Sequence, residues 1–283
     1  MPKIIYGLIL SAVFTSLTAN ALPLPKGERS LVLIPDTMTG NYNFEGIVAL
    51  SNCSGSLIRL ENSKDSDFAM VLTNGHCLES GMPRANTFVV NQPSTRRFTL
   101  LDASAGNAGT VTASKVMYST MTRTDMTVYK LNETYAQILT KSGIHPLTLS
   151  SAHPNVGQNL EVISGYWKSG YSCSIEAFVG TLKEDNWTFT DSIRYSHPGC
   201  EVIGGTSGSP ILAAGTRTVI GVNNTINENG DRCTMNNPCE VDANGNVMAR
   251  EGIGYAQQTY WLYACLDENH EINLSAPACQ LFH

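Results

Sequence analysis

From Gly46 onward the chain alternates short apolar runs, rich in β-branched and aromatic residues, with clusters of turn formers. The first series comprises Ile47-Val48-Ala49-Leu50, Ser56-Leu57-Ile58, Met70-Val71-Leu72-Thr73, Thr87-Phe88-Val89-Val90, residues 111–116 and residues 126–131. Runs of this length bounded by Gly, Pro, Asn, Asp and Ser read as strands, and their regular recurrence predicts an antiparallel all-β sandwich or barrel. Residues 134–140, with Tyr135, Ile138 and Leu139 apolar, predict a short helix midway along the chain, where two β halves would be joined. A second strand series follows at 160–163, 173–181, 187–190, 209–212 and 218–222. The aromatic-rich stretch 257–266 predicts a C-terminal helix packed on the β structure.

The N-terminal residues do not share this pattern. Residues 1–21 carry Lys3, an apolar run to Phe14 and then Ala19-Asn20-Ala21, the parts of a secretory signal peptide cleaved after Ala21. Ser11, Thr15 and Ser16 interrupt the run, which is short for a bilayer span, so an anchor is the weaker reading. Residues 22–44 are rich in proline and turn formers around Leu31-Val32-Leu33-Ile34, and read as an arm or short pro-segment.

Composition adds the compartment and removes some partners. The 283 residues carry a net charge of −6, or −7 once Lys3 leaves with the signal segment, without a Lys/Arg cluster. That balance offers no footprint for nucleic acid or for an anionic membrane after signal cleavage. Eight cysteines lie beyond the signal segment: Cys53, Cys77, Cys173, Cys200, Cys233, Cys239, Cys265 and Cys279. An even count in an exported chain reads as disulfides, and the absence of Cys-x-x-Cys or paired-histidine spacing argues against zinc. The destination expected is outside the cytoplasm, secreted or, in a Gram-negative cell, periplasmic. The stretch 223–250 holds Asn-Gly and Asp-rich pieces that suit turns better than a calcium loop.

Chemistry concentrates in Gly204-Gly205-Thr206-Ser207-Gly208-Ser209-Pro210. A serine between glycines can expose its hydroxyl and aim neighbouring backbone N–H groups at one point, as acyl transfer requires. A serine nucleophile needs a base and the base an orienting acid. His76 follows an apolar strand in Thr73-Asn74-Gly75-His76-Cys77, and Asp125 heads the strand at 126–131. The order His, Asp, Ser is a known triad order.

Together, Cys53-Ser54-Gly55-Ser56-Leu57-Ile58, Thr73-Asn74-Gly75-His76-Cys77, the strand opened by Asp125 and Gly205-Thr206-Ser207-Gly208-Ser209-Pro210 resemble the chymotrypsin-like serine proteases. The Gly-x-Ser-Gly-Ser-Pro form is similar to their bacterial glutamyl-endopeptidase and trypsin-like branch. The resemblance implies an all-β fold of two six-stranded antiparallel β-barrels with a short C-terminal helix and the active site between the barrels. The N-terminal barrel would span about 45–135, the C-terminal barrel about 155–256, and the helix and tail about 257–283. It further implies that His76 is the general base, Asp125 its orienting acid and Ser207 the nucleophile, with the N–H groups of Gly205 and Ser207 as the oxyanion hole. A Cys53–Cys77 disulfide is also implied. Cys173 with Cys200, Cys233 with Cys239, and Cys265 with Cys279 are pairings suggested by proximity alone. The function expected is a monomeric secreted endopeptidase acting on proteins or peptides without cofactor or metal. The alternative is a catalytically silent homologue serving as a binding module.

Three departures from the family pattern matter. Thr206 stands where many members carry an aspartate that pairs with a freed N-terminal amine, so the site is expected to form without that ion pair. Asn223, Asn224 and Thr225 stand where many have a serine supporting the aspartate and a backbone that pairs with substrate, which leaves open whether Asn224 or Thr225 supports Asp125. Glu201, six residues before Ser207, occupies the place of the acid that binds Lys or Arg in trypsin-like members. Its carboxylate either faces the pocket or points to solvent beside Cys200. A glutamyl-preferring site would instead draw on donors such as Thr206, His197 or Asn223.

Overall fold

The computed structural model describes residues 41–283. The signal-like segment 1–21 and most of the proline-rich arm, residues 22–40, lie outside the described residues. In chain order the first strands are β1 (Ile47–Ala49), β2 (Ser54–Arg59), β3 (Phe68–Thr73), β4 (Phe88–Pro93), β5 (Arg97–Leu101), β6 (Asn107–Thr120) and β7 (Met126–Thr134). They pair in the order β1-β5-β6-β7-β3-β2, and β1 pairs back onto β2, closing a six-stranded antiparallel barrel with β4 flanking β6. Helix α1 (Tyr135–Ser142) follows, its start fixed by a capping box between Thr134 and Gln137 and its end by Gly143 at φ 70°.

The second ring uses β9 (Asn159–Ser164), β10 (Ser169–Val179), β13 (Ser192–Tyr195), β14 (Pro210–Ala213), β15 (Thr218–Ile226) and β18 (Gly254–Gln257). Their order is β15-β14-β9-β10-β13-β18, closed by β15 on β18. Strand β8 (Leu147–Leu149) runs parallel to both β2 and β15 and stitches the rings together. A separate four-stranded sheet is built from β11 (Leu182–Glu184), β12 (Trp187–Phe189), β16 (Cys239–Val241) and β17 (Val247–Met248).

The two-residue period of the strands divides the core. Leu57 and Val71 pack with Val48, Phe98 and Tyr129 in one cluster, whereas their neighbours Ile58, Met70 and Leu72 face another. On the second ring Val162 and Ile211 pack with Tyr171 and Ile193, whereas Ile163 and Leu212 turn to the cluster that holds Ile58 and Leu72. Alternate side chains therefore fill each ring and the seam between rings. Both rings press apolar faces on one seam, so residues at that seam are held by two barrels.

The C-terminal helix expected over 257–266 is reduced to a 3-10 segment, Tyr260–Cys265, because Gln257 is taken up by β18 in closing the second ring. Trp261, Leu262 and Cys265 of that segment cap the seam cluster. All eight cysteines are paired: Cys53–Cys77, Cys173–Cys200, Cys233–Cys239 and Cys265–Cys279. The Asp-rich piece after β16 is a turn in which Asp242 Oδ1 accepts from the N–H groups of Asn244 and Asn246, each at 2.8 Å.

Candidate active site

Strand β3 ends at Thr73 and the chain tightens into a 3-10 turn, Gly75–Cys77, that carries His76. A side chain at Gly75 would run into Thr120 O and lie 2.8 Å from Asp125 Oδ1, so only glycine lets the turn approach the aspartate this closely. The Cys53–Cys77 bond ties the far end of the turn to the entry of β2, closing a separation of 24 residues. Loop-closure entropy assigns a bridge of that span about 3–4 kcal/mol.

Asp125 sits immediately before β7 and is fully buried. Asn74 Nδ2 donates to its backbone carbonyl at 2.9 Å, the His76 N–H donates to Oδ1 at 3.0 Å, and His76 Nδ1 lies 2.6 Å from Oδ2. An ionised carboxylate only accepts, so Nδ1 carries the proton and the other ring nitrogen is left as an acceptor. Burial pushes the His76 imidazole down. The charge and hydrogen bond of Asp125, with a further contribution from Glu184, outweigh burial and hold the group above its ordinary value.

Ser207 reaches the same cleft from the second ring. His76, Asp125 and Ser207 line it together with Met82, Glu184 and Asn224. No hydrogen bond joins Ser207 to His76 among the described residues, and the two meet as lining of one cleft. The turn bearing Ser207 is held on every side: Thr206 N–H donates to Ile203 O at 3.0 Å, Gly208 N–H to Asn223 O at 3.0 Å, and Ser54 N–H to Ser207 O at 2.8 Å. Ser54 is buried, and its hydroxyl also accepts from Tyr166 N–H at 3.1 Å, which joins the first ring to the loop after β9.

That loop presents Trp167, whose indole Nε1–H donates to Gly204 O at 2.8 Å. Because the peptide unit is planar and trans, holding the Gly204 carbonyl on one side turns the Gly205 N–H to the other. Gly205 adopts φ +90°, and a side chain there would lie 2.8 Å from Trp167 Nε1. The N–H groups of Gly205 and Ser207 have no backbone acceptor among the described residues.

The remaining candidates divide. Asn223 is buried; its Oδ1 accepts from Tyr195 Oη at 2.8 Å and its Nδ2 donates to Thr206 O at 3.0 Å and Thr206 Oγ1 at 3.1 Å. Thr206 Oγ1 in turn donates to Ile203 O at 2.6 Å. A neutral network thus braces the segment before Ser207 where an acid and an ammonium would otherwise pair. Asn224 lines the cleft, yet neither it nor Thr225 hydrogen-bonds the Asp125 carboxylate, whose bonds come from His76. Glu201 is exposed beside the Cys173–Cys200 bridge and does not line the cleft. Cys53, His76 and Cys77 crowd together, but the two sulfurs are bonded to each other and offer no thiolate.

Sequence reasoning missed Ser54, Trp167 and Glu184. Ser54 stood inside a quoted motif, but its role depends on a contact with residues more than a hundred positions away. Trp167 lies in the short turn between β9 and β10, which reads as an ordinary connection, and Glu184 lies in the polar run Lys183-Glu184-Asp185-Asn186, which reads as solvated.

A search of curated protein sequences returns no match. Solved structures that this chain is similar to include the apo MamO protease domain from Magnetospirillum magneticum (TM-score 0.48, 12% identity, 80% of this chain and 98% of that one). Also similar are the chymotrypsin of Cellulomonas bogoriensis (TM-score 0.40, 15% identity, 77% and 91%) and a Glu endopeptidase in complex with MPD (TM-score 0.41, 15% identity, 78% and 93%). The profile of the trypsin-like peptidase domain matches residues 53–222, a span that includes His76, Asp125 and Ser207. The chain belongs to the trypsin-like peptidase domain family.

Proposed function

We propose that the protein is a serine endopeptidase that works outside the cytoplasm. The observation that carries this reading is the buried Asp125 carboxylate 2.6 Å from His76 Nδ1, with Ser207 on the same cleft. In the forward step the Ser207 hydroxyl attacks the scissile carbonyl carbon and its proton passes to His76 Nε2. Asp125 stabilises the imidazolium so formed. The oxyanion that develops on the substrate is received by the Gly205 and Ser207 N–H groups. His76 then returns its proton to the leaving amine, and water, activated by the same imidazole, releases the acyl group. Four disulfides suit an oxidising compartment, which supports export.

A fluorophosphonate probe tests the chemistry directly. The folded, disulfide-intact protein should be labelled stoichiometrically, with the adduct mapping by peptide mass spectrometry to Ser207. An unlabelled Ser207 in folded protein would favour the silent binding module instead.

The Trp167 bond to Gly204 gives a second expectation. Trp167→Phe keeps the ring, which is half exposed, and removes only the indole N–H. The freed Gly204–Gly205 peptide can then turn its carbonyl toward the oxyanion site, so kcat should fall by about 10- to 100-fold, somewhat less than loss of an oxyanion donor itself. KM for a peptide ester and the melting temperature should stay near wild type. A change confined to KM would mean that Trp167 binds substrate and does not position the peptide.

A further inference from the structure

We propose that Glu184 forms a subsite for a cationic side chain, Lys or Arg, of a peptide lying in the cleft; the inference rests on reading this cleft as the place where substrate binds. Glu184 ends β11 and is only 8% exposed, yet it lines the cleft beside His76 and Asp125. One carboxylate oxygen, Oε1, accepts from the Asn236 N–H at 2.8 Å. No cation pairs with Glu184 among the described residues. A carboxylate this buried is costly to keep without a counter-charge. Burial accordingly raises its proton affinity, against the hydrogen bonds and the charge of His76 that favour ionisation. A guanidinium or ammonium entering the cleft would supply the partner that Glu184 lacks among the described residues.

The rest of the cleft agrees with such a guest. Among the described residues its charged lining consists of Asp125, Glu184 and Glu228 with the titratable His76, and contains no Lys or Arg. Asp125 is already committed to His76, and Glu228 is exposed at the rim, where it would draw a cation inward. Met82, Ile203 and Met235 also line the cleft and are 47%, 44% and 44% exposed, an apolar border suited to the methylene stem of Lys or Arg.

Backbone pairing fixes where this subsite lies. Arg123 N–H donates to Thr188 O at 2.9 Å and Thr190 N–H to Arg123 O at 2.8 Å, so the β11–β12 hairpin is docked on the segment that delivers Asp125. Trp187 Nε1–H adds a bond to Pro83 O at 2.9 Å. Glu184 therefore serves a position on the His76–Asp125 side of the cleft, carried by a different element from the segment before Ser207 where Glu201 is exposed.

The test scans fluorogenic peptides in which Arg is exchanged for citrulline, a neutral residue of the same shape, one position at a time. At one position the wild-type protein should show kcat/KM about 10- to 100-fold higher for Arg. In Glu184→Gln, which retains an acceptor for the Asn236 N–H, that ratio should collapse toward one, and Glu184→Asp should restore part of it. Fluorophosphonate labelling of each variant reports that its site is folded. A wild-type protein without Arg preference at any position, or a Glu184→Gln protein that keeps it, overturns the proposal. Calorimetric binding of the same peptide pair to Ser207→Ala separates the two readings. Preferential binding of the Arg peptide supports the subsite even if the wild-type protein neither labels nor cleaves, a result that would remove the peptidase reading alone; equal binding of both peptides overturns the subsite.

Discussion

Asp125→Asn should lower kcat by about four orders of magnitude while leaving the protein folded. The carboxylate accepts from the His76 N–H and from His76 Nδ1, and both bonds depend on its having acceptors on each side. An asparagine in the same space can serve the backbone N–H with its carbonyl oxygen, but then offers Nδ2–H to the ring. That presentation favours a proton on the far nitrogen, the tautomer that cannot take a proton from Ser207. The pH profile distinguishes this from a merely structural lesion. The base acts in its neutral form, and Asp125 and Glu184 hold His76 above its ordinary value against burial. In the wild-type protein kcat/KM should therefore rise as pH climbs through a His76 transition above about 6.5. In Asp125→Asn, where burial is opposed only by Glu184, the same limb should move to lower pH. The sign for stability is opposite: a histidine whose proton affinity is raised by folding stabilises fully below its unfolded pKa, and that contribution fades as pH rises through the folded one. Residual activity within tenfold of wild type, or an acid limb that stays in place, would sink the assignment of Asp125.

Much of this was legible because the relevant signals are local. Strands β2, β3 and β7 announce themselves as short apolar runs, since one face of each fills a ring and the other the seam, so both are buried. Helix α1 is written in Thr134, Gln137 and Gly143, whose capping bonds span only a few residues. The strands that close the second ring were harder. Strand β18 is Gly-Tyr-Ala-Gln, buried throughout but too small and too polar to look like a strand, and it takes the first residue from the expected C-terminal helix. Strand β13 reads Ser-Ile-Arg-Tyr, in which Arg194 is bonded to Glu240 at 2.8 Å from the neighbouring sheet. Such residues earn their place through tertiary contacts that no window of sequence contains.

The site divides on the same principle. His76, Asp125 and Ser207 each sit in a motif whose spacing reflects the turn that carries it. What braces them is non-local: Ser54 on Ser207, Asn223 on Thr206, Trp167 on Gly204. Thr206 shows the difference well. From sequence it is a missing acid; in the fold it is the centre of a neutral network that holds the same turn. Neutral hydrogen bonds need neither a freed N-terminus nor an ionised partner, so the turn can be held without a cleavage event to charge it.

Ser207→Ala carries the largest expected effect, a loss of about 10⁶-fold in kcat. The substitution deletes only the hydroxyl oxygen. The bonds that hold the turn run through the backbone, from Ser54 N–H to Ser207 O and from Gly208 N–H to Asn223 O, and an alanine preserves both. Fold, disulfides and cleft should survive, so the melting temperature should match wild type. His76 and Asp125 would remain paired with nothing to deprotonate except water, and the Gly205 N–H would still receive a carbonyl oxygen. The variant should therefore bind peptide while failing to form an acyl-enzyme, and should lose fluorophosphonate labelling completely. Its slow residual turnover should lack any burst of the first product, because the burst reports an acyl group accumulating on Ser207. If the alanine protein instead hydrolysed peptides within a hundredfold of wild type, with an undiminished burst, another nucleophile would be at work. The geometry around His76 would then have to be explained as packing.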